Sequence, residues 1–363
     1  MLSGLIPAGV EAHLVLPELG PQVSRYEALG VTVHVAKLAT LRRDLSPRVA
    51  AAYPLKLARA VAQVRGILRA VRADLVHTNM EVLLEGGLAA RSLGLPHVLH
   101  YRGNTLDQPR WVFDALTATW SATADHIYCI SRATASVFER RGRGGKVEVL
   151  YNCLDVGAFS RAERSADVRA ALGAAGDGPL IGAVGRLHPR KDVETFVRAA
   201  ALVAAAEPRA RFVVVGLAEA PVEIEYQKRI EALIQELGLM GRFTLAGARR
   251  DMPAVMKALD MFVLTSRHEG FGRVVAEAMA AARPIVVAAE GAPPELVEDG
   301  RYGLCAAPAD PADFAKKILG LLGAPEATAA MSARAAERGR GFAVDAAAQR
   351  VLARYRALCE GRG

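Results

Sequence analysis

Two glutamates, Glu269 and Glu277, stand eight positions apart in "SRHEGFGRVVAEAMAAARPIVVA", with a Gly-Phe-Gly between them. Gly270 and Gly272 interrupt any helix running through them. Val274, Val275, Ala278, Met279 and Ala282 then recur at helical spacing over Arg273 to Ala282. This predicts Glu269 in a loop and Glu277 on the second turn of the helix behind it. The first amides of such a helix lack internal partners and carry the positive end of its dipole, so they offer a place for a phosphate or similar anion. A carboxylate suits the opposite task, accepting hydrogen bonds from the hydroxyls of a ribose or hexose. The plainer reading of the same residues is an i, i+4 ion pair between Arg273 and Glu277 on a solvated face, with Arg ahead of Glu the poorer orientation.

A second stretch, "LIGAVGRLHPRKD", places Gly185, Arg186 and Lys191 on a loop that follows a strand and leads into a helix around Val193 to Ala204. The "SRHEGFG" loop likewise follows the strand "MFVLT". Ligands of open parallel sheets bind beyond the carboxyl ends of the strands. Two basic side chains and an unpaired helix start would then meet in one crevice, which suits a diphosphate. Either cation alone reads equally well as surface charge, and their joint position after a strand favours the crevice.

The elements that must hold these residues are read from the alternation of strand and helix patterns. β-rich runs occur at "AHLVLP", "VTVHVA", "DLVHTN", "PHVLHY", "HIYCIS" and "VEVLYN", separated by helical stretches such as Leu55 to Val71, Trp111 to Ala124 and Ala133 to Arg140. After "GAAGDGP" the alternation restarts with "LIGAVG", "RFVVVG", "RFTLAG", "MFVLTS" and "PIVVAA". The pattern is that of two successive α/β units with a glycine-rich joint, followed by an alanine-rich helical tail from Pro311 to Arg362.

Composition excludes several classes. The chain has 363 residues, 52% of them hydrophobic and 23% charged, which is ordinary for a soluble globular enzyme of two or three domains. No run reaches the roughly 18 apolar residues of a membrane span. Cys129, Cys153, Cys305 and Cys359 are scattered, with neither zinc-ligand nor disulfide-framework spacing, so a cytoplasmic protein without a metal or other cofactor is expected. The net charge of +8 is spread out except at "RRGRGGK", Arg140 to Lys146. That run reads as a solvated helix end or as a patch resting on anionic lipid. No nucleic-acid module accompanies it.

The segments "GAVGRLHPRKD", "FTLAGARRDMPAVMKALDMFVLTSRHEGFGRVVAEAMAAARPIVVA" and "EGAPPELVEDGRYGLC" resemble the donor domain of the retaining, nucleotide-sugar-dependent glycosyltransferases of family 4. "YCIS" and "VEVLYNCLDVGAF" resemble the end of that family's acceptor domain. The resemblance implies the GT-B fold, two Rossmann-like parallel-sheet domains facing a cleft. The expected division is an acceptor-side domain over 1–172, a donor domain over 173–340 and a terminal helix over 341–363 that packs back towards the first domain. By the same resemblance, Arg186 and Lys191 match the basic pair that holds the donor diphosphate. Glu269 and Glu277 match the family's two signature acids, expected on the transferred sugar and on the ribose. Backbone amides of Phe271, Gly272 and Arg273 would meet the phosphates. His100, in "VLHYRG", matches the family's histidine near the reacting carbon, although a histidine ending a strand is more often structural. The implied partners are a nucleoside-diphosphate sugar and a glycan or lipid-linked acceptor, with transfer in cell-surface polysaccharide, lipopolysaccharide or glycolipid assembly. The alternatives are a sugar-nucleotide epimerase on the same architecture and an inactive sugar-nucleotide-binding remnant.

Departures from the family pattern are Cys153 where glycine is usual, Ala292 in place of a common second glycine, and the start. "MLSGLIPAGVEAHLVLPELG" aligns with the end of the family's first helix and its second strand, without the opening strand and glycine-rich loop. In a doubly wound sheet the first strand lies between the second and the fourth. The expectation is therefore an acceptor-side sheet whose second and fourth strands lack a neighbour between them, and a functional protein that begins upstream of Met1.

Overall fold

The computed structural model describes residues 1–40, 47–103, 109–174 and 176–361. Twelve strands are found among them: β1 His13–Leu16, β2 Thr32–Val35, β3 Val76–Thr78, β4 His97–Tyr101, β5 His126–Cys129, β6 Val147–Val149, β7 Leu180–Val184, β8 Arg211–Val215, β9 Phe243–Leu245, β10 Met261–Leu264, β11 Ile285–Ala288 and β12 Leu304–Ala306. Every pairing between them is parallel. Contacts divide the chain into two compact units, one of Met1–Cys153 with Val344–Gly363 and one of Leu154–Ala343.

In the second unit the sheet order is β12-β11-β10-β7-β8-β9. Counted from β7 as the first strand, this is the doubly wound 3-2-1-4-5-6 order, whose direction of winding reverses between β7 and β10. Strands β10 and β11 are buried along their whole length, as expected of a sheet covered on both faces. The helix Val193–Ala206 buries Val193, Phe196, Val197, Ala200, Val203 and Ala204, the spacing of one helical face. Phe196 meets Phe212 and Phe243 of the sheet. Each such large apolar side chain contributes about 1.5–3 kcal/mol when fully buried.

The division falls at Leu154, where the glycine-rich joint placed it at Gly173. Long-range ion pairs account for the difference. Arg169 donates to Ala258 O at 2.7 Å and to Asp260 Oδ2 at 2.8 Å, and Arg164 Nη1 lies 2.6 Å from Asp260 Oδ1. These bonds fasten the helix Ala166–Ala171 and the segment just before it to the second unit. The helical tail resolves into Pro311–Leu322, Pro325–Arg340 and Val344–Glu360, and Arg362 lies outside the described residues. The last helix buries Ala347, Ala348 and Val351 with Leu5, Val98, Tyr128 and Leu150 of the first unit.

In the first unit the strands form two separate sheets, β1-β2 and β3-β4-β5-β6. Among the described residues β1 pairs only with β2, and β3 only with β4. Val15 of β1 and Val76 of β3 nevertheless pack against one cluster that includes Val64 and Leu68 of the helix Pro47–Ala70. The helical layer is thus continuous where the hydrogen-bonded ladder is not. Burial follows the ladder: β4 and β5 are buried throughout, whereas all four residues of β1 are half-buried.

The basic run at Arg140 to Lys146 is mostly engaged within this unit. Arg141 Nε lies 2.7 Å from Asp114 Oδ1, Arg143 Nη1 donates to Thr117 Oγ1 at 3.0 Å, and Lys146 Nζ donates to Ala124 O at 2.9 Å. These contacts tie the run to the helix Arg110–Thr123 and its end, which supports the reading as a helix end. Among the described residues no helix is long and apolar enough to cross a membrane.

Short, half-buried pairings open locally at lower free energy than buried central strands. Hydrogen exchange at the β1 and β2 amides is therefore expected to be roughly 100-fold faster or more than at β10 and β11. Mass spectrometry of deuterium uptake measures this directly, and equal protection in both sets would show that the β1-β2 pair is braced as firmly as the second unit's core.

Candidate functional site

The crevice at the winding reversal of the second unit begins with a backbone contact. A Cβ on Gly216, just after β8, would lie 1.8 Å from Gly185 O, just after β7. No side chain can rotate to relieve a clash with a carbonyl oxygen, so this approach requires glycine. Gly185 N donates to Val215 O at 3.0 Å and Leu187 N to Leu217 O at 2.9 Å, and the two strand ends leave the sheet side by side.

The loop after β7 carries Arg186 and Lys191, and each is met by a carboxylate. Arg186 Nη1 lies 2.9 Å from Glu223 Oε1, with the arginine side chain 70% exposed and the glutamate buried. Glu223 also accepts from the amides of Glu219 at 3.1 Å and Ala220 at 3.3 Å, which caps the helix Pro221–Glu236. Those amide bonds hold its carboxyl below the ordinary range, with a smaller contribution from Arg186. Lys191 Nζ forms a short ion pair with Glu269 Oε1. The loops after β7 and β10, distant in sequence, therefore meet at the crevice through the residues singled out from sequence.

Further bonds clamp the same two loops. Thr265 Oγ1 donates to Lys191 O at 3.0 Å, and Arg267 N donates to Arg190 O at 3.1 Å. Arg267 Nε lies 3.1 Å from Asp192 Oδ2, and that aspartate is buried with φ 48°. From the other side the loop after β11 braces Glu269, because Ala292 N donates to Glu269 O at 3.0 Å. A Cβ on Gly291, whose φ is 72°, would lie 2.7 Å from that same oxygen. Ala292 is fully buried here, and its methyl is accommodated where the family pattern often has glycine.

Gly272 caps the helix Arg273–Ala280. The amides of Gly272, Arg273 and Val274 make no backbone hydrogen bond among the described residues, so the helix start is available to an anion. The Phe271 side chain is buried against Phe342 with ring centroids 5.8 Å apart. Arg273 Nε lies 3.0 Å from Glu277 Oε1. The plainer i, i+4 pair is thus formed. It partly offsets the burial that raises the Glu277 carboxyl pKa.

Two family models match the chain. The one described as "Glycosyl transferases group 1" covers residues 165–338, and the one described as "Glycosyltransferase Family 4" covers residues 1–157. The chain belongs to the family 4 glycosyltransferases. It is similar to the D-inositol 3-phosphate glycosyltransferase of Mycobacterium avium, 33% identical over 214 residues that make up 58% of this chain and 49% of that protein. The chain thus spans about half the length of the curated relatives it matches. Among solved structures it is similar to Anabaena Alr3699/HepE in complex with UDP, at 25% identity and a TM-score of 0.83 over 98% of this chain and 94% of that one. The same protein in complex with UDP-glucose gives a TM-score of 0.81 at 25% identity, with the same coverage of both chains. Sucrose-phosphate synthase from Thermosynechococcus elongatus, 23% identical with a TM-score of 0.73 over 99% and 98% of the two chains, shares the fold. That fold is GT-B, here with parallel sheets in both units.

In this family 4 chain, the second unit brings Gly185, Arg186, Lys191, Glu269, Phe271, Gly272, Arg273 and Glu277 onto adjoining loops and one helix. Sequence reasoning missed Glu223, Asp192 and Arg267. Glu223 sits three residues beyond Ala220, a weak capping signal because alanine offers no side-chain acceptor. Asp192 and Arg267 are separated by 75 residues and have no local signature.

His100 belongs to the first unit, on β4, and is buried. Its ring lies 5.6 Å from that of His77 and 6.0 Å from Tyr128, and both of its nitrogens are enclosed without a hydrogen-bond partner among the described residues. Burial holds its pKa well below the ordinary 6.5, reinforced by Arg102 and His77. His77 is pushed down to about 3, mainly by burial, and His126 to about 4 by burial and Arg354 against the opposing Glu148. Nearby, His77 Nδ1 bonds Tyr355 Oη at 2.5 Å, and His126 Nε2 lies 3.2 Å from Glu148 Oε2.

These histidines are neutral when folded and titrate normally when unfolded, so below about pH 6.5 the unfolded chain binds protons that the folded chain refuses. Stability of the first unit is therefore complete above that pH and lost as pH falls towards about 4, with a slope approaching about 1.4 kcal/mol per pH unit for each histidine. Both tryptophans, Trp111 and Trp120, lie in this unit. Urea unfolding followed by tryptophan fluorescence should show a midpoint that falls between about pH 7 and 4.5, and less steeply in His126→Gln. A midpoint indifferent to pH would mean that the cluster opens to water without unfolding.

Proposed function

We propose that this chain transfers a sugar from a nucleoside-diphosphate sugar to an acceptor hydroxyl with retention at the sugar carbon. The observation that carries the reading is the Lys191–Glu269 pair at the crevice, beside the open amides of the helix Arg273–Ala280. The diphosphate lies against Arg186, Lys191 and those amides. Lys191 then turns from Glu269 to the phosphate, and the carboxylate it releases accepts hydrogen bonds from the transferred sugar. Glu277 exchanges Arg273 for ribose hydroxyls in the same way. Likeness to a protein solved with UDP and with UDP-glucose makes a uridine nucleotide the first to test.

The chemical burden is departure of the nucleoside diphosphate, which gathers negative charge on the β-phosphate. Preorganised cations and amides lower that barrier because they are already oriented when the charge forms. The bond from the sugar carbon to the phosphate oxygen breaks, and the acceptor oxygen bonds the same face of that carbon. The acceptor proton passes to the departing phosphate.

A thermal-shift panel of uridine, guanosine and adenosine diphosphates tests the donor. A nucleotide at 100 times its dissociation constant adds about 2.7 kcal/mol of stability. Lys191→Ala should lower transfer by about 100-fold or more with the fold retained, since its side chain is part-exposed. Glu277→Ala should weaken nucleotide binding about tenfold through lost ribose hydrogen bonds. Wild-type turnover in a folded Lys191→Ala protein would remove the lysine from the mechanism. Unchanged nucleotide affinity in Glu277→Ala would leave that glutamate only its bond to Arg273.

A further inference from the structure

The carboxyl ends of β3, β4 and β6 in the first unit carry a cluster that the donor chemistry leaves unused. Asn79 follows β3, Arg102 follows β4 and Asn152 follows β6. Arg102 Nε donates to Asn79 O at 3.1 Å, Nη2 to Asn79 Oδ1 at 2.8 Å and Nη1 to Asn152 Oδ1 at 2.7 Å. Its backbone amide donates to Glu81 Oε2 at 3.0 Å, and Glu81 is wholly buried. Asn79 is exposed, while Arg102 and Asn152 are half-buried.

A guanidinium has donors and no acceptor, so each asparagine must turn its oxygen towards Arg102. The Nδ2 groups must then point away from it. Among the described residues neither Nδ2 makes a hydrogen bond with protein. The guanidinium also retains N–H bonds beyond the three it uses, one on each terminal nitrogen. The three side chains therefore present donors and positive charge together. The acceptor oxygen of each asparagine is turned inward to the guanidinium. Such an array is complementary to a group that has several acceptor oxygens and a negative charge.

We propose that Asn79, Arg102 and Asn152 form an anion site that binds a phosphate group on the acceptor. Calling the ligand an acceptor rests on the transferase reading; the binding of phosphate does not. The site lies at the carboxyl edge of a parallel sheet, where ligands of such sheets bind. The phosphate oxygens take hydrogen bonds from both amide groups and from Arg102, and the rest of the ligand is left free to offer its hydroxyl. Arg102 acts here as a binding and positioning residue. Its neighbour His100 is enclosed on the opposite side of β4 from Tyr101, in the cluster with His77 and Tyr128.

Calorimetric titration of the full chain with inorganic phosphate, with UDP present to occupy the other crevice, tests the site. The comparison is with Asn79→Asp/Asn152→Asp, which keeps side-chain volume and replaces both outward amide groups by carboxylate oxygens. Arg102→Gln serves as a second variant, and tryptophan fluorescence verifies folding in each. Wild type should bind phosphate, and both variants should bind it at least tenfold more weakly. Equal binding by wild type and folded variants, or no binding by wild type, would overturn the site. Glucose 6-phosphate and vesicles of phosphatidylglycerol against phosphatidylcholine then separate a soluble phosphate from a lipid phosphate: the source that competes with inorganic phosphate in wild type and not in the variants is the ligand. A separate UDP titration keeps the two readings apart. Its failure would count against the donor site alone, because the difference between wild type and the asparagine variants is read with or without UDP.

Discussion

Two cations carried on one loop must each be held by a carboxylate, and this constraint shapes the crevice of the second unit. Arg186 rests on Glu223 and Lys191 on Glu269. Neither carboxylate is idle elsewhere, since Glu223 caps a helix and the backbone of Glu269 is braced by Ala292. For the diphosphate proposed above, binding would be an exchange of partners, with a net free energy smaller than the attraction of a bare cation pair for phosphate would suggest, and part of what is given up would reappear as a freed acceptor. The Asp192–Arg267 pair supports the same arrangement from beneath. An aspartate 4% exposed needs its counter-charge, although the exposure of Arg267 lets water share that task.

Much of this was legible in the sequence, for identifiable reasons. Strands β1 to β11 announce themselves as short β-branched runs bounded by turn residues. The loops after β7 and β10 carry charge where parallel sheets take ligands. What was not legible depends on distance. The strand β12, Leu304–Ala306 in "RYGLCAA", contains no β-branched or aromatic residue to mark it. The helix Pro47–Ala70 runs through Pro54, although proline is a reason to begin a helix later. The boundary at Leu154 follows from Arg164 and Arg169 reaching Asp260, nearly a hundred residues ahead.

The two units differ in how completely their sheets are knit. In the second, six strands form one ladder under aromatic packing from Phe196, Phe212 and Phe243. In the first, the break between β1 and β3 was foreseeable from strand order alone, whereas the shared helical cluster that spans it was not. Hydrophobic contact and hydrogen bonding thus part company in one layer, and side-chain packing carries the continuity that backbone pairing lacks.

The contact of Gly216 with the Gly185 carbonyl has a consequence for evolvability. Where main chain touches main chain, the spacing of the two strand ends is independent of any side chain's size. Drift in the surrounding residues can alter what lines the crevice, but cannot widen or narrow this part of it by small steps. A lineage that changes what the crevice admits must do so through the loops above. A directed-evolution library would be better spent there than on either glycine.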